Sequence, residues 1–155
     1  MKKQDYTATI AVNTNTKTAF KAVANMAAWW TENIDGATDE LNGDFTVNFG
    51  ETFVTFKTTA FVPGQKIVWL VTDCYLPWLS DKKEWNGTRL IAEVSAENGV
   101  TTINFMHEGL VPQVECYDGC VKGWDQYIKD SLYKLLTEGK GAPQKKRAEV
   151  AEAAY

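Results

Sequence analysis

Apolar and polar positions alternate at the start of this chain, where Tyr6, Ala8, Ile10 and Val12 are separated by Thr7, Thr9 and Ala11. A period of two puts one row of side chains on each face of a strand and predicts a strand buried on one side. Asn13 to Asn15 end it. Thr16 is the predicted N-cap of a helix in which Ala19, Phe20, Val23, Ala24 and Ala27 recur at three- and four-residue spacings. A second short helix is predicted over Ala27 to Thr31, holding Trp29 and Trp30, and Gly36 and Asn42-Gly43 then mark a loop.

From Asp44 onward the pattern is strand after strand. Phe45, Val47 and Phe49 alternate up to a turn at Gly50-Glu51, and Thr52 to Val62 runs to Pro63-Gly64. Lys66 to Thr72 is apolar on both faces, with Ile67, Trp69 and Val71 on one and Val68 and Leu70 on the other, which predicts a central or doubly covered strand. After an irregular segment from Cys74 to Trp85, Thr88 to Ala96 and Val100 to Glu108 form a hairpin around Asn98-Gly99. Five short strands joined in this way predict an antiparallel meander. Between Glu115 and Glu138, Tyr117, Val121, Trp124, Ile128, Leu132 and Leu135 give an amphipathic helix of roughly 35 Å. Its apolar side needs cover, so the helix must lie across the sheet in a two-layer α+β fold with a potential hollow between the layers.

Composition narrows this picture. A chain of 155 residues fits one domain, predicted here as residues 1–139, with 140–155 as a flexible or weakly helical tail after Gly139, Gly141 and Pro143. Sixteen basic against 20 acidic residues, a net charge of −4, argue against a generic nucleic-acid surface. The opening residues lack the apolar block of a secretory signal, and no apolar run reaches the ~18 residues that span a bilayer. A soluble cytoplasmic protein without membrane insertion is therefore expected. A single His leaves no room for a multi-His metal site, and no phosphate loop, zinc-binding helix or dinucleotide fingerprint is present, so no metal or cofactor is expected. Cys74, Cys116 and Cys120 lack CxxC spacing. The last two lie one helical turn apart, where a redox or metal pair competes with small buried thiols.

Several local stretches carry a resemblance. Trp29-Trp30, Gly43-Asp44-Phe45, Trp85-Asn86-Gly87-Thr88-Arg89-Leu90, His107-Glu108-Gly109-Leu110 and Gly123-Trp124 fall in that order across residues 5 to 138. Together they resemble motifs of the START-like (SRPBCC) superfamily, and within it the family named for the activator of the heat-shock-protein-90 ATPase. The resemblance implies a helix-grip fold: a curved antiparallel sheet wrapped around a long C-terminal helix, with two short helices after the first strand. It also implies a cavity for a small apolar ligand. The eukaryotic branch of that family stimulates the chaperone through a second, N-terminal domain for which this sequence has no room.

Three functions remain open on these residues. In a ligand-binding module, Trp30, Trp69, Phe105, His107 and Trp124, with Tyr75, Trp78 and Leu79 of the loop, would line the hollow. In an interaction protein, the same apolar loop and the basic Lys145-Lys146-Arg147 would dock on a protein partner or a second copy. In a small hydrolase, cyclase or isomerase, His107 would be the base, because alternation puts it on the inward face with Ile103 and Phe105. Against this stands a structural histidine closing the strand end. Asp73, Glu32 and Asp35 are the carboxylates nearest the presumed mouth, and solvated loop ends are the plainer reading of them.

Overall fold

The computed structural model describes residues 5–144. Its strands are β1 (Tyr6–Val12), β2 (Ile34–Gly36), β3 (Asp44–Phe49), β4 (Thr52–Val62), β5 (Lys66–Tyr75), β6 (Arg89–Glu97) and β7 (Val100–Glu108). They form one antiparallel sheet in the order β1-β7-β6-β5-β4-β3-β2. The meander predicted from the sequence is thus closed at one edge by β1, which pairs Tyr6 with His107 and Ile10 with Ile103. Two register shifts between β4 and β5, at Thr55/Phe56 and Thr58/Ala60, insert unpaired residues that bend and twist a sheet. β5 is the middle strand, which accounts for burial of Val68 on one face and of Ile67, Trp69 and Val71 on the other.

The first helix, α1 (Thr16–Ala24), begins one residue earlier than the sequence suggests. Asn15 is its N-cap, in extended conformation, and its side chain accepts from the Thr18 N–H at 2.7 Å. The predicted helix over Ala27 to Thr31 is instead a single 3-10 turn, Met26–Ala28. Adjacent residues of a continuing helix would point about 100° apart. The break lets both Trp29 and Trp30 be buried, with the Trp29 indole donating to the Val23 carbonyl at 3.1 Å.

The C-terminal helix runs without interruption from Tyr117 to Glu138. Tyr117–Trp124 and Tyr133–Glu138 are α-helical, and Asp125–Leu132 between them is wound as a π-helix. Trp124, Ile128 and Leu132 face the sheet and are buried. Gly139 closes the helix in the left-handed region at φ 82°.

Two further expectations change. β2 falls in the stretch the sequence marks as loop, because three residues are too few to display an alternation. β5 continues through Cys74 and Tyr75, so the irregular segment starts later. Trp29 in the predicted second helix and Trp85 at the end of the irregular segment are both buried, and Trp78 is exposed at 59%. Of the tail assigned to 140–155, residues 140–144 are described, and they are docked. Gln144 donates its N–H to the Trp30 carbonyl at 2.9 Å, and the Gln144 carbonyl accepts from the Glu32 N–H at 2.9 Å. Lys145-Lys146-Arg147 lies outside the described residues.

Candidate functional site

A cleft of about 250 Å³ opens at one end of the two layers. β3 and β4 contribute Phe49, Thr52 and Val54, and the C-terminal helix contributes Cys120, Gly123, Trp124 and Tyr127. Leu76, Trp78 and Trp85 come from the segment after β5, and Trp30 comes from beyond the 3-10 turn. No wall residue carries a formal charge. The sequence packs the floor with indoles: Trp30 and Trp124 lie 4.9 Å apart between ring centroids, and Trp124 stacks on Trp85 at 6.1 Å with planes 17° apart. Each such pair adds roughly 0.5–1.5 kcal/mol beyond its buried area, enough to hold the floor rigid.

Of the residues proposed from sequence, Trp30, Trp78 and Trp124 stand on this wall. Trp69 is buried deeper in the core, edge-on to Phe45 at 6.5 Å, and its indole donates to the Thr38 carbonyl at 3.3 Å. Phe105 packs behind Trp124 at 4.8 Å, Leu79 is buried within the loop, and Tyr75 stacks on Phe53 at 6.4 Å on the outside. Phe49, Val54, Leu76, Trp85 and Tyr127 join Trp30, Trp78 and Trp124 on the wall, beyond the residues the sequence points to. Leu76 and Trp85 belong to the apolar loop segment whose need for cover is visible in the sequence, whereas the part played by Phe49 and Val54 follows from the register of β3 on β4.

His107 lies behind the floor, fully buried. The Trp124 indole N–H donates to its Nδ1 at 3.1 Å, and its Nε2 is 2.9 Å from the Thr88 hydroxyl. An indole N–H only donates, so Nδ1 must be the acceptor and Nε2 carries the proton. Nε2–H then donates to the Thr88 oxygen, and the Thr88 hydroxyl donates onward to the Trp85 carbonyl at 2.7 Å. Burial pushes the His107 pKa down to about 3. The imidazole is neutral near neutral pH, and to accept a proton at Nδ1 it would have to give up Trp124. Gly109 makes this arrangement possible: at φ 104° it turns the chain after β7, and a Cβ there would sit 2.6 Å from the Thr88 methyl carbon.

The carboxylates do not converge on the cleft. Asp73 pairs with the Lys83 ammonium at 2.7 Å, which holds its carboxyl below the usual range, and the pair is half-exposed. Glu32 stands on a separate groove of about 780 Å³ between α1, β2 and the end of the C-terminal helix, where Lys21 and Asp39 are also found. Asp35 is exposed on β2. Cys116 and Cys120 are joined as a disulfide within the first turn of the C-terminal helix, and Cys74 is a buried thiol. Among the described residues no three His, Cys, Asp or Glu side chains gather to hold a metal, and no helix is long and apolar enough to cross a membrane.

No family model and no curated protein matches the chain. Solved structures do. The solution structure of the Aha1 dimer from Colwellia psychrerythraea superposes with a TM-score of 0.72 over 89% of this chain and 99% of that one, at 19% identity. The chain has the helix-grip fold. SSP2350 from Staphylococcus saprophyticus agrees at TM-score 0.66 and 15% identity, with 90% of this chain and 96% of that one covered. DynU16, from the dynemicin biosynthetic locus, gives 0.63 at 14% identity over 87% of this chain and 48% of that one. What these solved structures share with the chain is its fold, a curved antiparallel sheet packed on one long C-terminal helix.

Proposed function

We propose that this START-like domain is a binding module for a small, largely apolar molecule held in the cleft between Trp30, Trp78, Trp85 and Trp124. The observation that carries the reading is the wall itself, built from aromatic and aliphatic side chains on a packed scaffold. Apolar clefts with few polar groups are how proteins hold such ligands. An engineered apolar cavity of about 150 Å³ takes benzene. The cleft here, at about 250 Å³, has room for a molecule of about two rings. Titration with a panel of neutral aromatic and aliphatic compounds, followed by tryptophan fluorescence and thermal midpoint, is expected to show saturable quenching and a raised midpoint for compounds of that size. An unchanged signal across the whole panel overturns the reading. A native mass spectrum of freshly purified protein then looks for the molecule carried from the host.

A second reading is favoured by one observation. Trp78 at the cleft and Tyr75 at the end of β5 are both exposed, apolar surface of the kind that a protein partner or a second copy covers, and the Colwellia protein is a dimer. Light scattering over a range of concentrations decides it. A monomer at all concentrations, unaltered by Trp78→Ser, counts against a dimer through this surface. Neither reading asks His107 to act as a base.

A further inference from the structure

Cys116 and Cys120 are bridged across the first turn of the C-terminal helix, their Cα atoms 5.6 Å apart, within the roughly 4.4–6.8 Å that a disulfide spans. The two sulfurs are not equivalent. Cys116 is buried at 3% exposure, whereas Cys120 is half-buried and stands on the cleft wall. The turn they close is weak in its own right. Cys116 is at the N-cap position with no side-chain capping bond, and Gly119, the poorest helix former short of proline, lies inside the bridged loop. The segment that supplies Leu76, Trp78 and Trp85 to the cleft is tied to that same turn. The Ser80 N–H donates to the Glu115 carboxylate at 3.0 Å, and the Glu84 carboxylate accepts from the Glu115 and Cys116 N–H groups at 3.2 and 3.1 Å. All three bonds end on Glu115 and Cys116, just ahead of the helix.

Resting on the binding reading above, we infer that Cys116 and Cys120 form a thiol–disulfide exchange site in the cleft wall, and that its state controls how firmly the Leu76–Trp85 segment closes over the ligand. As a disulfide the pair clamps the anchor of that segment to the helix. A small dithiol opens it. One thiolate of the reagent attacks Cys120 Sγ, the sulfur presented to the cleft, and the Cys116 sulfur leaves with the electron pair and takes a proton. The second thiolate of the reagent then displaces Cys120, which is protonated in turn. The reagent ends as a cyclic disulfide and the protein with two thiols. Without its cross-link the first turn frays as helix ends do, and the anchor loosens with it.

Dithiothreitol is the probe reductant and naphthalene the probe ligand. Thiol titration counts the state of the pair, with Cys74 alone free in the oxidised chain and all three cysteines free in the reduced one. Reduction is expected to accelerate amide exchange at Ser80, Glu115, Cys116 and Cys120 roughly tenfold, with β6 and β7 unchanged, and to weaken naphthalene binding about fivefold or more. Linkage is reciprocal, so saturating naphthalene shifts the dithiothreitol exchange equilibrium toward the protein disulfide by the same factor. The double variant Cys116→Ser/Cys120→Ser is expected to match the reduced chain and to ignore dithiothreitol, which excludes an effect through Cys74. The native chain alone decides the matter if that variant fails to fold. If naphthalene binds both redox forms alike, or exchange at the four amides is unchanged, the inference is overturned and the binding module stands. Loss of protection at β6 and β7 on reduction makes the pair a purely structural cross-link and overturns it too, as does a chain that keeps three thiols in oxidised dithiothreitol. If naphthalene binds neither form, the reading of a cleft for two-ring aromatics falls and the inference falls with it.

Discussion

His107 illustrates how one side chain can be placed by sequence and explained by structure. Its inward direction is legible, because it alternates with Ile103 and Phe105 along β7. Its partners are not, since Trp124 lies 17 residues onward on another element and Thr88 lies 19 residues back. Those partners decide its chemistry. With a folded pKa of about 3 against the ordinary 6.5, the unfolded chain takes up a proton that the folded chain refuses. The stability this confers is fully present above about pH 6.5 and is lost as pH falls toward 3, with a slope approaching ~1.4 kcal/mol per pH unit. His107→Gln separates the charge from the geometry, because a Gln carbonyl can accept from Trp124 while its amide donates to Thr88. Urea unfolding midpoints at pH 7.5, 5.5 and 4.5 are expected to fall steeply in the native chain and less steeply in the variant. Parallel profiles would remove His107 as the source of the acid sensitivity.

At the scale of elements, the long helix, α1 and six of the seven strands are readable because each is long enough to repeat its period. The pieces missed are those held by contacts instead of by pattern. Asn15 and Thr16 are both capping types, and only the backbone conformation selects Asn15. The strap at Lys140 to Gln144 reads in the sequence as a helix stop, yet it closes the end of the domain. The Ser131 hydroxyl donates to the Trp29 carbonyl and accepts from the Ala142 N–H, each at 2.7 Å, while the Gln144 side chain accepts from Thr31 at 2.7 Å. Gly141 lets the strap pass this closely, since a Cβ would meet the Ala28 carbonyl at 2.5 Å. Gly141→Ala is therefore expected to lift the strap and cost about 1–3 kcal/mol, the range of buried hydrogen bonds left unmade. Amide exchange should accelerate at Glu32 and Gln144, the two backbone donors of the bridge, before any change at β6 or β7. Unchanged protection at both would show that the strap absorbs the methyl group.

For the whole molecule, periodicity identifies which faces turn inward and cannot say where the inward residues fail to meet. Trp69 and Phe105 fill their space in the core, whereas Trp30 and Trp124 border space left open between the sheet and the C-terminal helix. Gly123 is one reason for that opening: it lines the cleft, and a Cβ built on it meets nothing within 4 Å. A glycine inside a helix costs roughly 0.5–1 kcal/mol relative to alanine, so the chain carries a weakness in its longest element at the point where a side chain would occupy the cleft. Gly123→Ala is expected to raise stability by up to about 1 kcal/mol with the far-ultraviolet spectrum unchanged. Gly123→Leu extends the test, because its side chain would project into the cleft while restoring helix propensity. Its expected outcome is a folded, equally or more stable protein that no longer shows the fluorescence response to two-ring aromatic probes. If Gly123→Leu is stable and still binds those probes as the native chain does, their site lies elsewhere, and the open end of the grip is a packing gap without a role in recognition.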